Sequence, residues 1–177
     1  MKKFGLTALL VVAAGLQAQT PDAVVQDLQR QWQGIKNNIL AAAEAMPEDG
    51  YSFKPTPDVR AFGGWVGHVA DAQIGTCSGI AGQRQNLGAE QKMTTKAELL
   101  DALKKSFDAC DAVYMATTVA NHDEGVAGFG GQTPRLSSLY GNIAHSQECY
   151  GSMAVYLRLK GIVPPSTARR GMGKKKG

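Results

Sequence analysis

The sequence has no alternating strand-type segment, no internal repeat and no sign of a second core. An all-β or repeat architecture is therefore excluded. Its one clear apolar run, Phe4 to Leu16, is about 13 residues long, short of the ~20 that span a bilayer. No cysteine stands directly after that run, so a lipid anchor has no acceptor there. Aromatic residues are only 7% of the chain, and basic residues are not interleaved with them inside the domain, so a nucleic-acid surface is not expected. The formal charge of +4 sits largely at the ends, in Lys2 and Lys3 and in a tail holding Arg169, Arg170 and Lys174 to Lys176. Cysteine and histidine are scarce, with three of each. Their positions therefore carry most of the chemical information.

Lys2 and Lys3, the apolar run and a small residue at Ala18 have the layout of a secretory signal peptide, cut before Gln19. The remaining chain of about 160 residues suits one compact domain. We expect residues 1–18 as signal peptide, 19–163 as a helical bundle and 164–177 as a basic, disordered tail. The mature protein is expected in the periplasm or medium, free of the membrane, with a homodimer as one arrangement open to it.

Four amphipathic stretches follow. Thr20, Pro21 and Asp22 open the first, Val25, Leu28, Trp32, Ile35, Ile39, Ala42 and Met46 give it helical period, and Pro47 ends it. Three prolines between Met46 and Gly64 forbid a continuous helix. A second helix is expected from about Phe62 to Arg84. The third starts at a capping box, Thr95 with Glu98, and fades near Val119. The segment from Ala120 to Gln132 is too rich in glycine for an element. Thr133 and Pro134 then read as cap and first turn of the fourth helix, stopped by Gly161 and the Pro164-Pro165 pair. The result is an all-α four-helix bundle.

Cys77 and Cys110 lie on the apolar faces of the second and third helices. In an oxidising compartment they are the expected disulfide, with Cys149 left as the odd thiol. The alternative is three buried, unpaired cysteines acting as small hydrophobes.

His122 falls in the glycine-rich loop. His68 and His145 each lie on the inner side of a helix, where a histidine is either a hydrogen-bonded core group or a ligand. His145 and Cys149 stand at i and i+4, so both can reach one ion, and His68 could be the third ligand. Two imidazoles and a thiolate favour zinc as the divalent metal, whereas a carboxylate from Asp71 or Glu148 would favour iron, nickel or manganese. Asp71, Asn142, Glu148 and Tyr156 are read as residues able to support the ligands from behind. Small residues follow His68 at Ala72, Gly75 and Gly79. They permit either close helix approach or an empty space in front of the histidine.

The segments MPEDGYSFKPTPDVRAFGGWVGHVADAQ (46–73) and HSQECYGSMAVYLRLKGIVPP (145–165) resemble the DinB-like superfamily. The resemblance implies a bundle with up-down-down-up helix order. It also implies a divalent metal held by one histidine on the second helix and an H-x-x-x-H pair on the fourth. His68 and His145 match, and Cys149 replaces the last histidine. A metal-dependent hydrolase or transferase is implied, acting on a small molecule that the residues do not identify. The readings from another class are a non-enzymatic metal- or ligand-binding bundle and a structural bundle with a degenerate site.

The apolar run and its lysines generate the first prediction. Intact mass of protein recovered from the periplasm or medium should begin at Gln19. Uncleaved Met1 in the soluble fraction of the native host would refute export.

Overall fold

The computed structural model describes residues 21–128 and 131–174 of the chain, so the expected signal segment lies outside the described residues. Four long helices make the bundle: α1 (Pro21–Ala45), α2 (Phe62–Ile80), α4 (Lys96–Ala116) and α5 (Arg135–Leu159). Between α2 and α4 lies one helical turn, α3 (Ala89–Lys92), and a 3₁₀ turn (Glu48–Ser52) follows α1. None of the described helices is long and apolar enough to cross a membrane.

Side-chain pairs fix the helix directions. Gln29 at the start of α1 donates to the carbonyls of Tyr114 and Thr117 at the end of α4. Lys96 at the start of α4 donates to Met46 just after α1, so these two helices are antiparallel. Gly63 faces Leu99 near the first turns of α2 and α4, and Cys77 is disulfide-bonded to Cys110 further along, so that pair is parallel. Tyr156 reaches back to the Arg60 carbonyl while Gln73 meets Ser146, so α5 opposes α2. The order is up-down-down-up.

The core is built on Trp32, which stacks on Tyr114 at 4.3 Å between ring centres and meets the edge of Phe107 at 5.4 Å. Its indole N–H is not orphaned, because Nε1 donates to Asp111 at 2.7 Å, and the same carboxylate takes Lys36. The sequence-predicted capping box is in place: Glu98 N–H donates to Thr95 Oγ1, and Thr95 N–H donates to Glu98 Oε2.

Several boundaries differ from expectation. Helix α2 stops at Ile80 rather than Arg84, because Gly82 takes a left-handed φ of 82° and Gln83 N–H closes back on the Ser78 carbonyl. Helix α4 ends at Ala116, where Thr117 turns extended. Helix α5 is capped at Pro134, one residue late, because Thr133 belongs to a strand. The glycine-rich segment is not a plain loop. It forms an antiparallel ribbon, β1 (Gly125–Gly128) with β2 (Gly131–Pro134), anchored by buried Val126. The tail is the larger correction. Residues Pro165–Lys174 form a helix, α6, rather than a disordered end. Pro165 sits at a position suited to a first turn, and Tyr150 Oη both donates to Ser166 Oγ at 2.9 Å and accepts from Ser166 N–H at 3.0 Å. Arg169 then reaches Asn38 of α1.

The disulfide joins residues 33 apart in sequence, with Cα atoms 5.0 Å apart. On the chain-entropy estimate it contributes about 3–4 kcal/mol. Cys77→Ser with Cys110→Ser should lower the stability from urea unfolding by that amount. A change under about 1 kcal/mol would show that the cross-link adds little.

Candidate metal centre

Helix α2 buries Val66, Val69 and Ala70 against α4, which turns His68 toward α5. Helix α5 buries Leu139, Ile143, Ser146 and Met153, and presents His145 and, one turn on, Cys149 to the same gap. Both imidazoles are half-buried and Cys149 is buried. The Nε2 atoms of His68 and His145 are 3.1 Å apart, and Cys149 Sγ is 3.6 Å from His145 Nε2. One ligand atom from each of the three lies within 4.8 Å of the others. With bonds of about 2.0–2.1 Å to nitrogen and 2.3 Å to sulfur, a tetrahedral ion spaces two nitrogens by about 3.3 Å and nitrogen from sulfur by about 3.6 Å. The measured edges fit that figure.

The supports behind His68 come from residues that the sequence reading passed over. Its Nδ1 donates to Glu90 Oε2 at 3.0 Å, and Glu90 Oε1 accepts from Arg60 Nε at 2.6 Å. With Nδ1–H engaged, neutral His68 presents an Nε2 lone pair to the gap, the form a metal requires. Arg60 also lies over the Trp65 ring at 4.8 Å. Glu90 sits in α3, which is seated directly on Gly67. A Cβ there would come within 2.7 Å of the Glu90 backbone, so only glycine permits the contact. Nothing in the polar 85–93 stretch marked Glu90 for this role except its charge.

Burial alone would push Glu90 upward, but the hydrogen bonds and charge of Arg60 and His68 outweigh it and leave the carboxyl below the usual range. His145 is pushed below the ordinary histidine value by burial and then by His68, so its neutral form is favoured. The Cys149 thiol is pushed up to about 11 by burial and by the Glu148 carboxylate. It stays protonated at neutral pH unless a cation displaces the proton.

The four expected supporting residues divide. Asp71 does not touch a histidine; its carboxylate accepts from Ala89 N–H at 2.8 Å and Glu90 N–H at 3.0 Å, so it holds the turn that holds Glu90. Tyr156 Oη donates to the Arg60 carbonyl at 2.6 Å and so steadies the same chain of contacts one step further out. Asn142 is elsewhere. It is buried between α2, α4 and α5, donating to Gln73 Oε1 at 2.7 Å and to Tyr114 Oη at 3.2 Å. Glu148 is exposed and acts on the site only through its charge. His122 lies apart, in the loop, with Nδ1 on the Val119 carbonyl.

Two cavities open beside the histidines. One, of about 510 Å³, runs between α2, α5 and the ribbon, and the other, of about 400 Å³, lies toward the α2–α3 connection. His145 borders both, and His68 borders the second. The gap between the two histidines is thus open to a small molecule.

Comparison with known proteins agrees with this arrangement at the level of fold. The family model of the DinB superfamily matches residues 22–152. A DinB-like protein of Bacillus cereus ATCC 10987, known from its crystal structure, superposes with a TM-score of 0.69 at 18% identity, over 79% of this chain and 95% of that one. No curated protein matches.

The dependence of His68 on Glu90 and Gly67 gives a prediction that needs no metal. In ¹⁵N–¹H spectra of the imidazole nitrogens, neutral wild-type His68 should carry its proton on Nδ1. Glu90→Ala, and Gly67→Ala by displacing α3, should remove that preference while the bundle stays folded. An unchanged His68 pattern in both variants would show that Glu90 does not set it.

Proposed function

The chain belongs to the DinB superfamily, and from that premise we propose that it is an exported protein holding one divalent metal ion on His68, His145 and Cys149. Zinc is favoured over nickel, iron or manganese, because the set joins two borderline imidazoles to one soft sulfur. The observation that carries this reading is the convergence of three ligand atoms from two opposed helices at 3.1 and 3.6 Å, with the tautomer of one already set by Glu90.

Bound there, the cation would lower the pKa of a water or other ligand and so supply a nucleophile at neutral pH. The chain's own contribution is positional. Glu90 and Arg60 orient His68, burial keeps His145 neutral, and Cys149 offers a thiol whose proton must leave before the sulfur can ligate. Three protein ligands leave a position for water or substrate on the side of the cavities. Hydrolysis suits an exported protein better than transfer to a low-molecular-weight thiol, since such thiols are kept reduced inside the cell.

A second reading, binding without turnover, has one observation in its favour. Among the described residues near the ligands, the sole carboxylate bonded to the group, Glu90, is already engaged by Arg60 and His68. Among the described residues, no free carboxylate stands beside the proposed open position.

Metal analysis decides the first question. Protein purified without chelator and offered zinc should carry one ion per chain, and cobalt should give a sulfur-to-metal charge-transfer band. His68→Ala should abolish binding, because α5 alone supplies two ligands. Cys149→His should retain or strengthen binding while removing the charge-transfer band. Failure to bind zinc, nickel, iron or manganese stoichiometrically would leave the group as hydrogen-bonded core histidines.

A further inference from the structure

The two cavities share Gly75, Thr76, Arg84 and His145 and so form adjoining bays of one groove. Its floor is made of helical glycines that the packing does not need. A Cβ at Gly79 or Gly141 would meet nothing within 4 Å, and one at Gly75 would meet only the Gln85 carbonyl at 3.8 Å. Glycine inside a helix costs about 1 kcal/mol relative to alanine. At Gly67 close backbone approach offsets that cost, but at Gly79 and Gly141 no neighbour does. What these glycines preserve is the width of the groove.

Arg84 stands at the junction of the bays, exposed, with no hydrogen bond or ion pair among the described residues. The acid on the same wall, Asp71, is committed to the Ala89 and Glu90 amides. Among the described residues, Arg84 is the only lysine or arginine lining either bay. A guanidinium presents paired N–H donors whose geometry matches a carboxylate, and here they face a groove instead of an acidic partner. A single unit of positive charge suits a monoanion better than a phosphate dianion.

We propose that the groove binds a small carboxylic acid. Its carboxylate lies on Arg84, its body crosses the glycine floor, and its other end comes to His145. This deepens the metal-centre reading in naming the substrate class, but capture of the carboxylate by Arg84 does not itself require the metal.

The test uses dansylglycine and its uncharged amide as fluorescent probes on the full-length protein, first stripped with chelator and then loaded with zinc. The acid should bind the stripped protein at least about tenfold more tightly than the amide, as a charge-assisted contact implies. Arg84→Gln should erase that difference and Arg84→Lys should keep part of it, with zinc stoichiometry unchanged in both. Gly79→Leu should block both probes without loss of thermal stability, because the new side chain enters open space. Equal affinity for acid and amide in the wild type, or a difference that survives Arg84→Gln, would overturn the proposal. If zinc fails to bind while the acid is still preferred through Arg84, the metal reading falls and the anion groove stands.

Discussion

The placement of the candidate site depends on one buried amide, Gln73 of α2. It is fully buried, and every polar atom it brings into the core is answered from α5. Its Nε2 donates to Ser146 Oγ at 2.6 Å and its Oε1 accepts from Asn142 Nδ2 at 2.7 Å. Ser146 passes its own proton to the Asn142 carbonyl, and Tyr114 of α4 donates to the Leu139 carbonyl while accepting from Asn142. In a low-dielectric core a half-satisfied network of this kind costs several kcal/mol, so sliding α2 along α5 by one residue is strongly disfavoured. Ser146 is the neighbour of His145, and Gln73 lies little more than a turn from His68. The register that satisfies the amides therefore also sets the 3.1 Å separation of the two imidazoles.

Helical periodicity exposed the elements that bury large surfaces, and the i, i+4 pair on α5 exposed two of the three residues that converge at the candidate centre. What escaped the sequence reading depends on contacts between segments distant in the chain. Glu90 looked like one more polar residue in a connection, and only the seating of α3 on Gly67 makes it a partner of His68. Asn142 shared a stripe with His145, but the stripe is wide enough to serve two purposes: one end feeds the core network and the other feeds the site. The ribbon is written in glycines and one buried valine, too short a pattern to register as period two. The α6 helix has a composition suited to a solvated tail, and it is organised by a tyrosine hydroxyl that no local rule points to.

The replacement of the expected histidine by Cys149 changes more than a donor atom. Burial and the Glu148 charge hold its thiol near pKa 11, so a free thiolate is scarce at neutral pH. If a cation displaced the proton, however, the sulfur would add a negative charge that an imidazole would not, which would lower the net charge of the site and its power to acidify a bound water. The same change raises the preference for soft metals. In the proposed centre Cys149 would thus trade reactivity of the open position against selectivity for the ion.

Whether the two histidines form a structural pair or a ligand pair can be argued from their polarity. A histidine retained for packing ordinarily uses both ring nitrogens on donors or acceptors of the protein. His68 does so only on the Glu90 side; its Nε2 meets another imidazole nitrogen. For that contact to be a hydrogen bond between neutral rings, His145 must carry its proton on Nε2. Its Nδ1 then has the Cys149 sulfur at 4.0 Å as its hydrogen-bond contact among the described residues. Protonating both rings would set two charges 3.1 Å apart, and the lowered pKa of His145 reflects burial and that repulsion. A cation between the nitrogens would remove the competition at Nε2, since each ring would then contribute a lone pair there and keep its proton on Nδ1. The Arg60–Glu90 pair already holds His68 in that form. The His68 side of the pair thus already has the form that the proposed ion would use.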